Sequence, residues 1–324
     1  MTAFILRRFF QAALVVLIMS FLVFIGVFAV GDPIELLVSP DATQIEIEEA
    51  RVALGLDRPI LGQYWLFLKN AAQGDLGRSF VYNEPALGLV LARLPATAEL
   101  ALTAMVLGLA IGVPLGTYAG LHPDRPLSRI VMAGSVFGFS VPSFWIGIML
   151  ILVFAVTLGW LPATGRGETG TILGIETSLA TWDGLRHIAL PAINIAIFKF
   201  AVSVRMVRAG MREVAGQEFV RYARAKGLSE ARITWVYAFR HVAIPLITVL
   251  AMELGSVLAF AVVTETIFAW PGMGKLIIDS INQLDRPVVV AYLMITVMIF
   301  VGLNLLADLS YAVLDPRLRQ REGA

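Results

Sequence analysis

The 324-residue chain has no cysteine, only three histidines and almost no net charge: 25 Lys and Arg against 24 Asp and Glu leave +1. Without cysteine there are no disulfides, no thiol catalysis and no Cys-ligated metal, though the compartment stays open. His122, His187 and His241 stand far apart, so no His-x3-His or His-Glu-x2-His metal pair exists. The near-zero balance gives no electrostatic case for a nucleic-acid partner. A phosphate loop is also missing. Its nearest look-alike, Gly274-Lys275, has Ala269 where the first glycine belongs and Leu276 after the lysine. The chain therefore hydrolyses no ATP itself. Gly138-Phe139-Ser140-Val141 begins like a serine-nucleophile motif, but Val141 replaces the closing glycine. No catalytic residue and no metal site is assigned.

What the chain has in abundance is apolar sequence, 58% of residues against 15% charged. Several blocks of about 20 apolar residues can each cross a hydrocarbon core. The reading is an all-α membrane protein with six transmembrane helices. A large external loop follows the first helix, and a basic cytoplasmic segment with a short helix lies between the fourth and fifth. Residues 1–30 form the first span, 31–95 an external subdomain, 96–314 the five-helix core and 315–324 a cytoplasmic tail. Arg7 and Arg8 precede an apolar run to Val30 with no small-residue cleavage site, so this span is read as retained, with its N-terminus inside. The remaining spans are read at about Ala96–Leu121, Ile130–Leu158, Ile188–Val207, Val242–Ile267 and Val288–Leu314. Both termini then lie inside, and the distribution of Lys and Arg agrees.

The external region carries an excess of acid. Thr43–Leu54 and Ile60–Ala72 read as short amphipathic helices, and Gly74-Asp75-Leu76-Gly77 as a turn. It is either a platform for a soluble binding protein or a lid on its own helices. In the second span Gly108, Gly112, Gly116 and Gly120 recur every four residues, giving a smooth ridge for close helix approach. Pro142 and Gly147 are expected to kink the third span. Lys199 and Glu253 fall near the middle of the fourth and fifth. Such charges usually face the interior and pair. Together with Ser256 they are candidates for a translocation path or gate, or for a plain structural tie between helices. Glu99, Asn304 and Asp308, nearer span ends, read as wet or helix-bonded.

The whole is organised around Arg205–Pro245, a basic interruption holding Arg205, Arg208, Arg212, Arg221, Arg224, Lys226, Arg232 and Arg240. A basic loop that stays in the cytoplasm explains the charge, but not the order of residues. Glu218 to Lys226 is a good helix former. Gly227 can take a left-handed C-terminal cap, and Ser229 can cap a second helix. A helix, a glycine turn and a second helix at the membrane face suit docking in a groove on another protein.

At YARAKGL followed by AFRHVAIP the chain resembles the cytoplasmic EAA loop of ABC-importer permeases. More narrowly it resembles the first-permease subtype of the peptide/nickel (dipeptide and oligopeptide) permease family. Arg221, Tyr222 and Ala223 stand at the Glu-Ala-Ala positions, and Tyr237 to Arg240 at the Ile-x-Leu-Pro positions, as this subtype has them. GDP at 31–33, LGLDRPI at 54–60, Gln63-Tyr64 and GDLGRS at 74–79 look like the family's first external region, and GFSVP at 138–142 like its bend. ETIFAWPGMGKLIIDSI at 265–281 looks like its external re-entrant element, and the Asp315–Arg319 tail like its ending.

The resemblance implies an ATPase-coupling loop at Glu218, Arg221, Tyr222, Ala223, Arg224, Lys226, Gly227 and Leu228. It implies an external re-entrant turn at Trp270, Pro271, Gly272 and Gly274. It also implies a dock for an external binding protein at Asp57, Arg58, Gln63, Tyr64, Asp75 and Arg78. The expected function is a permease subunit of an ATP-driven importer in the bacterial inner membrane, moving di- and oligopeptides or similar solutes. The expected partners are a second homologous permease, two cytoplasmic ATPases carrying ATP and Mg, an external substrate-binding protein and the bilayer, with no cofactor on this chain. The rival is a stand-alone secondary transporter or channel. That would be expected to show repeated halves, and residues 1–160 and 161–324 show no repeat.

Overall fold

The computed structural model describes residues 2–29, 43–45, 52 and 58–314. The Gly31-Asp32-Pro33 motif, most of the Thr43–Leu54 helix, Asp57 and the tail from Asp315 lie outside the described residues. Among the described residues the architecture is helical, with one two-stranded ribbon. Within those residues four helices are long and apolar enough to cross a membrane, and up to six spans result if each of two bent helix pairs counts as one. The chain divides into two compact units, Met1–Ala92 with Leu276–Gly302, and Arg93–Lys275 with Leu303–Ala324.

In the first unit, helix α1 (Thr2–Ala29) packs on α2 (Ile60–Ala72), whose bounds are those expected from sequence. Tyr64 joins them. Its ring meets Phe21 and Phe24 at 5.1 and 5.4 Å, and its hydroxyl lies 2.8 Å from Ser20 Oγ. Val23, Val290 and Met294 form the buried centre, with Phe67 and Leu76 packed on it. A buried carboxylate organises the turn after α2: Asp285 accepts from Ser79 Oγ and from Phe80 N at 3.1 Å.

Helix α3 (Ala86–Leu121) starts at Ala86 rather than Ala96, so residues expected in the external loop are helical. Pro95 reads as a boundary, yet Ala86 and Val90 are fully buried, and that packing outweighs one lost hydrogen bond. The third span is not kinked but broken. α4 (Pro126–Ser140) and α5 (Ser143–Leu150), with its π-helical extension Ile151–Thr157, meet at 106°. Val141, held extended before Pro142 at φ −88° and ψ 132°, makes the break.

Past α5, strands β1 (Gly170–Ile172) and β2 (Ile175–Thr177) pair antiparallel, a ribbon with no signature in the sequence pattern. Thr181 caps α6 by accepting from Gly184 N at 3.0 Å, and α6 (Trp182–Ala215) runs well beyond Val207 into the basic stretch. There follow α7 (Glu218–Ala225), the single turn α8 (Glu230–Arg232), π-helical Ile233–Ala238 and α9 (Phe239–Phe260). The fifth span, read as continuous, is interrupted at Ala261 before α10 (Val262–Ile267). α11 (Met273–Asn282) and α12 (Arg286–Leu314) complete the order.

The core of the second unit rests on the glycine ridge. Gly108, Gly112, Gly116 and Gly120 all face α6. A methyl added at each would come within 2.8, 2.9, 2.9 and 2.7 Å of its nearest atom there, the carbonyls of Val204 and Arg208 among the neighbours. Only glycine allows this approach of backbone to backbone. We expect Gly116→Ala to cost about 1–3 kcal/mol, as overpacking does. Gly134→Ala, which would meet nothing within 4 Å, should be neutral or slightly stabilising. Thermal unfolding of the two variants in mild detergent checks this. Equal midpoints would refute the tight interface.

Candidate functional site

Three features of the second unit carry chemistry. The first is the hairpin at the end of α6. Helix α7 buries Val220 and Ala223 in a cluster with Val207, Met211, Val214, Ile233 and Val242. Its other face exposes Glu218, Arg221, Tyr222, Arg224 and Lys226. Gly227 takes φ +75° with open space around it, and Ser229 Oγ accepts from Arg232 N at 3.4 Å. Arg224 crosses the turn to Glu230 with two hydrogen bonds, Nε to Oε1 at 2.7 Å and Nη2 to Oε2 at 3.1 Å. Lys226 sits 4.6 Å from the Tyr222 ring centroid. Of the eight residues expected to couple, Ala223 faces the chain's own core and Leu228 is half-buried. Arg224 is engaged within the hairpin, while Arg221, Tyr222 and Lys226 stand open.

The second feature is the Trp-Pro-Gly-x-Gly turn between α10 and α11. Trp270 is fully buried, packs with Ala96, Leu100 and Ala192, and donates Nε1 to Ala96 O at 2.9 Å. Beneath it lies Glu265, also fully buried, accepting from Thr97 Oγ1 at 2.6 Å and from Lys275 N at 3.0 Å. Thr97 in turn accepts from Met273 N at 2.8 Å. A methyl on Gly272 would overlap the Glu265 carboxylate, and one on Gly274 would meet Val262 Cα at 2.6 Å. The two glycines are thus required by this carboxylate, which the residue pattern did not single out. Glu99 corrects another expectation. It is buried rather than wet, accepting from Arg166 and from Ser178 N at 2.9 Å, because the unforeseen ribbon lies next to it.

The third feature is a cavity of about 560 Å³ at the break between α4 and α5, with α6, α9 and α10 as its other walls. Lys199 and Glu253, on α6 and α9, meet there in a salt bridge with side chains 5% and 26% exposed. Ser256, one turn after Glu253, lies 3.4 Å from Lys199 Nζ and 3.3 Å from Glu253 Oε2. Asn194 donates Nδ2 to Thr264 Oγ1 at 3.0 Å. Both line the cavity and neither had been picked out, since single neutral polar residues carry no pattern. Phe198 stacks on Phe139 at 5.0 Å, and Arg205 lies 4.5 Å from the Phe139 ring centroid. Among the described residues no group of three or more His, Cys, Asp or Glu could hold a metal.

The residues expected to receive a binding protein largely serve their own unit. Gln63 Nε2 donates to Arg58 O at 2.7 Å, and Tyr64 is committed to α1. Asp75 accepts from Gly77 N at 2.9 Å, and Arg78 donates to Asn83 O at 2.7 Å.

Removing one partner of a buried ion pair costs about 3–5 kcal/mol. With Glu253 a quarter exposed, we expect Glu253→Lys to fall at the low end of that range. The exchange Lys199→Glu with Glu253→Lys should recover most of the loss. Unfolding midpoints of the two single reversals and the exchange test this. No recovery would refute direct pairing.

Two family descriptions cover the chain in sequence. Residues 1–101 match "Binding-prot-dependent transport system membrane comp, N-term", and residues 112–320 match "Binding-protein-dependent transport system inner membrane component". The di/tripeptide transport system permease protein of Pseudomonas aeruginosa is 39% identical over 90% of each chain. The oligopeptide transport system permease protein of Bacillus subtilis is 37% identical, over 98% of this chain and 99% of its own. A glutathione transport system permease protein of Escherichia coli is 34% identical over 99% of this chain and 100% of its own. The inward-facing MetNI methionine ABC transporter has a similar fold, with TM-score 0.56 at 16% identity, over 72% of this chain and 99% of that one.

Proposed function

The chain belongs to the family of binding-protein-dependent transport system inner membrane components, and we propose that it is one transmembrane permease subunit of an ATP-driven importer. Its solutes are di- and oligopeptides or similar small solutes, delivered by an external binding protein and released into the cytoplasm. The peptide and glutathione permeases to which it is similar along nearly its whole length support that substrate class. The family is one of transporter subunits, not of catalytic enzymes.

The observation that carries the reading is the α7–α8 hairpin. One face is fixed in the chain's own core, and the other presents Arg221, Tyr222 and Lys226 outward. A rigid, capped hairpin is what a partner needs if its movement is to reach the membrane helices. In this reading a cytoplasmic ATPase docks on the hairpin. Closure of two ATPases around ATP and Mg moves α6 as a body and switches the cavity from outward to inward.

The complete assembly contains this chain, a second homologous permease, two ATPases and the external substrate-binding protein, set in a bacterial inner membrane. This chain binds no cofactor and no nucleic acid. It crosses the bilayer six times with both termini inside, each bent helix pair counting as one span. Residues 1–30 form the first span, 31–95 the external subdomain, 96–314 the core and 315–324 the tail. Trp270, Pro271, Gly272 and Gly274 form the external turn. Asp57, Arg58, Gln63, Tyr64, Asp75 and Arg78 belong to the external region that the binding protein meets, where most of them shape the surface by bonding within it.

An exposed ion pair contributes little to stability, so breaking Arg224–Glu230 should spare insertion but loosen the hairpin. We expect Arg224→Glu, and Gly227→Val, which forces a side chain into a left-handed conformation at a cost of about 1–2 kcal/mol, to reduce peptide uptake while ATP hydrolysis continues. Arg224→Glu combined with Glu230→Arg should restore uptake. The readout is uptake and hydrolysis together in the reconstituted complex, with mass spectrometry of what co-purifies. Normal uptake in both single variants would sink the docking role. A chain that purifies without ATPases would point to a stand-alone transporter or channel.

A further inference from the structure

The cavity at the α4–α5 break holds an unused acceptor. Asn194 is 2% exposed, and while its Nδ2 bonds Thr264, its Oδ1 has no hydrogen-bond partner among the described residues. A buried acceptor left unpaired is costly, and native structures seldom keep one without a use. The Lys199 ammonium nearby has three donors and spends two, on Glu253 and Ser256. The cavity thus offers an open acceptor, a cation with a donor to spare and a carboxylate that is partly accessible. The rest of the wall is largely apolar and aromatic, with Ile146, Phe198 and Val257 beside Ser143. Its volume, about 560 Å³, lies within the range of small-ligand sites.

We propose that this cavity is a subsite for peptides whose two ends are both free. The peptide α-carboxylate takes the Lys199 ammonium and the Ser256 hydroxyl, which turns to it from the Glu253 carbonyl it otherwise donates to at 2.8 Å, and the α-ammonium takes Glu253 and Asn194 Oδ1. The inference rests on the importer reading for its substrate class, but it concerns this chain's own residues.

Charge balance is the physical reason. A lone charge in the middle of a membrane protein is expensive, so charges there pair. Without solute, Lys199 and Glu253 satisfy one another. A zwitterion inserted between them replaces one ion pair with two, and the total charge of the site stays zero throughout. A peptide blocked at one end would separate the pair and leave one member without a counter-charge. One blocked at both ends would supply neither charge. The charged groups of the cavity are all engaged by the two ends of the peptide, so the subsite selects ends before sequence.

The test uses the complex purified in lipid nanodiscs without its binding protein, so that selection upstream plays no part. Radiolabelled Ala-Ala is the probe, with N-acetyl-Ala-Ala-amide as the blocked competitor. Charge-assisted hydrogen bonds to both ends should make the blocked compound at least about tenfold weaker. Asn194→Ala and Lys199→Met should each weaken Ala-Ala binding by about tenfold, at unchanged subunit stoichiometry. Equal competition by the blocked compound overturns the subsite, and so does wild-type binding in Asn194→Ala or no binding of Ala-Ala at all. Should Lys199→Met fail to assemble, Asn194→Ala, which removes no charge, still decides. The two readings fail separately. An ATPase-bound complex indifferent to both substitutions sinks the subsite alone. A chain that purifies without ATPases yet loses Ala-Ala binding in Asn194→Ala sinks the importer and leaves the subsite standing.

Discussion

The close approach of α3 to α6 sets the terms for the second unit. Four glycines in register remove every side chain from one face of α3, and the backbone of α6 fills the space. In a bilayer no hydrophobic gain drives two apolar helices together, so packing contact has to supply the association. Holding α6 by its backbone fixes the direction of everything it carries. Lys199 Cβ lies against Gly108, which leaves the ammonium directed to Glu253. Asn194, just over one turn earlier, is held at the same cavity wall. Further along, Val207, Met211 and Val214 of the same helix form the core on which the basic hairpin sits. Cavity and hairpin are therefore two stations on one continuous helix.

This arrangement also separates two kinds of charge. The hairpin's Arg224–Glu230 pair is exposed and holds a turn together at little energetic consequence. The Lys199–Glu253 pair is largely enclosed, where loss of a partner is severe. A basic side chain paired with a glutamate thus does local fastening in one place and constrains the interior in the other. Burial, not identity, decides which.

What could be read from sequence was what local physics controls. Ile60–Ala72 became a helix with those limits, because its apolar spacing and Pro59 define it without outside help. The hairpin followed from helix formers, Gly227 and Ser229. The glycine spacing announced a close contact, though not which helix would supply it. The partners of Glu99 and Glu265 were not legible. They come from Arg166, Ser178, Thr97 and the backbone of Lys275, all brought together by the fold rather than by spacing. The break at Pro142 was visible as a proline, but whether a proline bends a span or ends it depends on what packs around the turn. The proposed docking surface of the first unit was the least legible part. Gln63, Tyr64, Asp75 and Arg78 look free in a sequence, and only the structure displays the bonds that engage them.

The Glu265 carboxylate has one more consequence, for the order of events as the protein is made. Its hydroxyl partner, Thr97, lies 168 residues away along the chain, and its backbone partner at Lys275 is the last of the group to be synthesised. Until Lys275 has emerged and the chain has doubled back at Trp270, an ionisable group sits at the end of an apolar helix with incomplete bonding. The bilayer offers nothing to complete it. The turn can therefore close only after the preceding helices have inserted and found one another. The carboxylate is thus enclosed only when Trp270 seats against Ala96, with Thr97 and the backbone of Lys275 already in place.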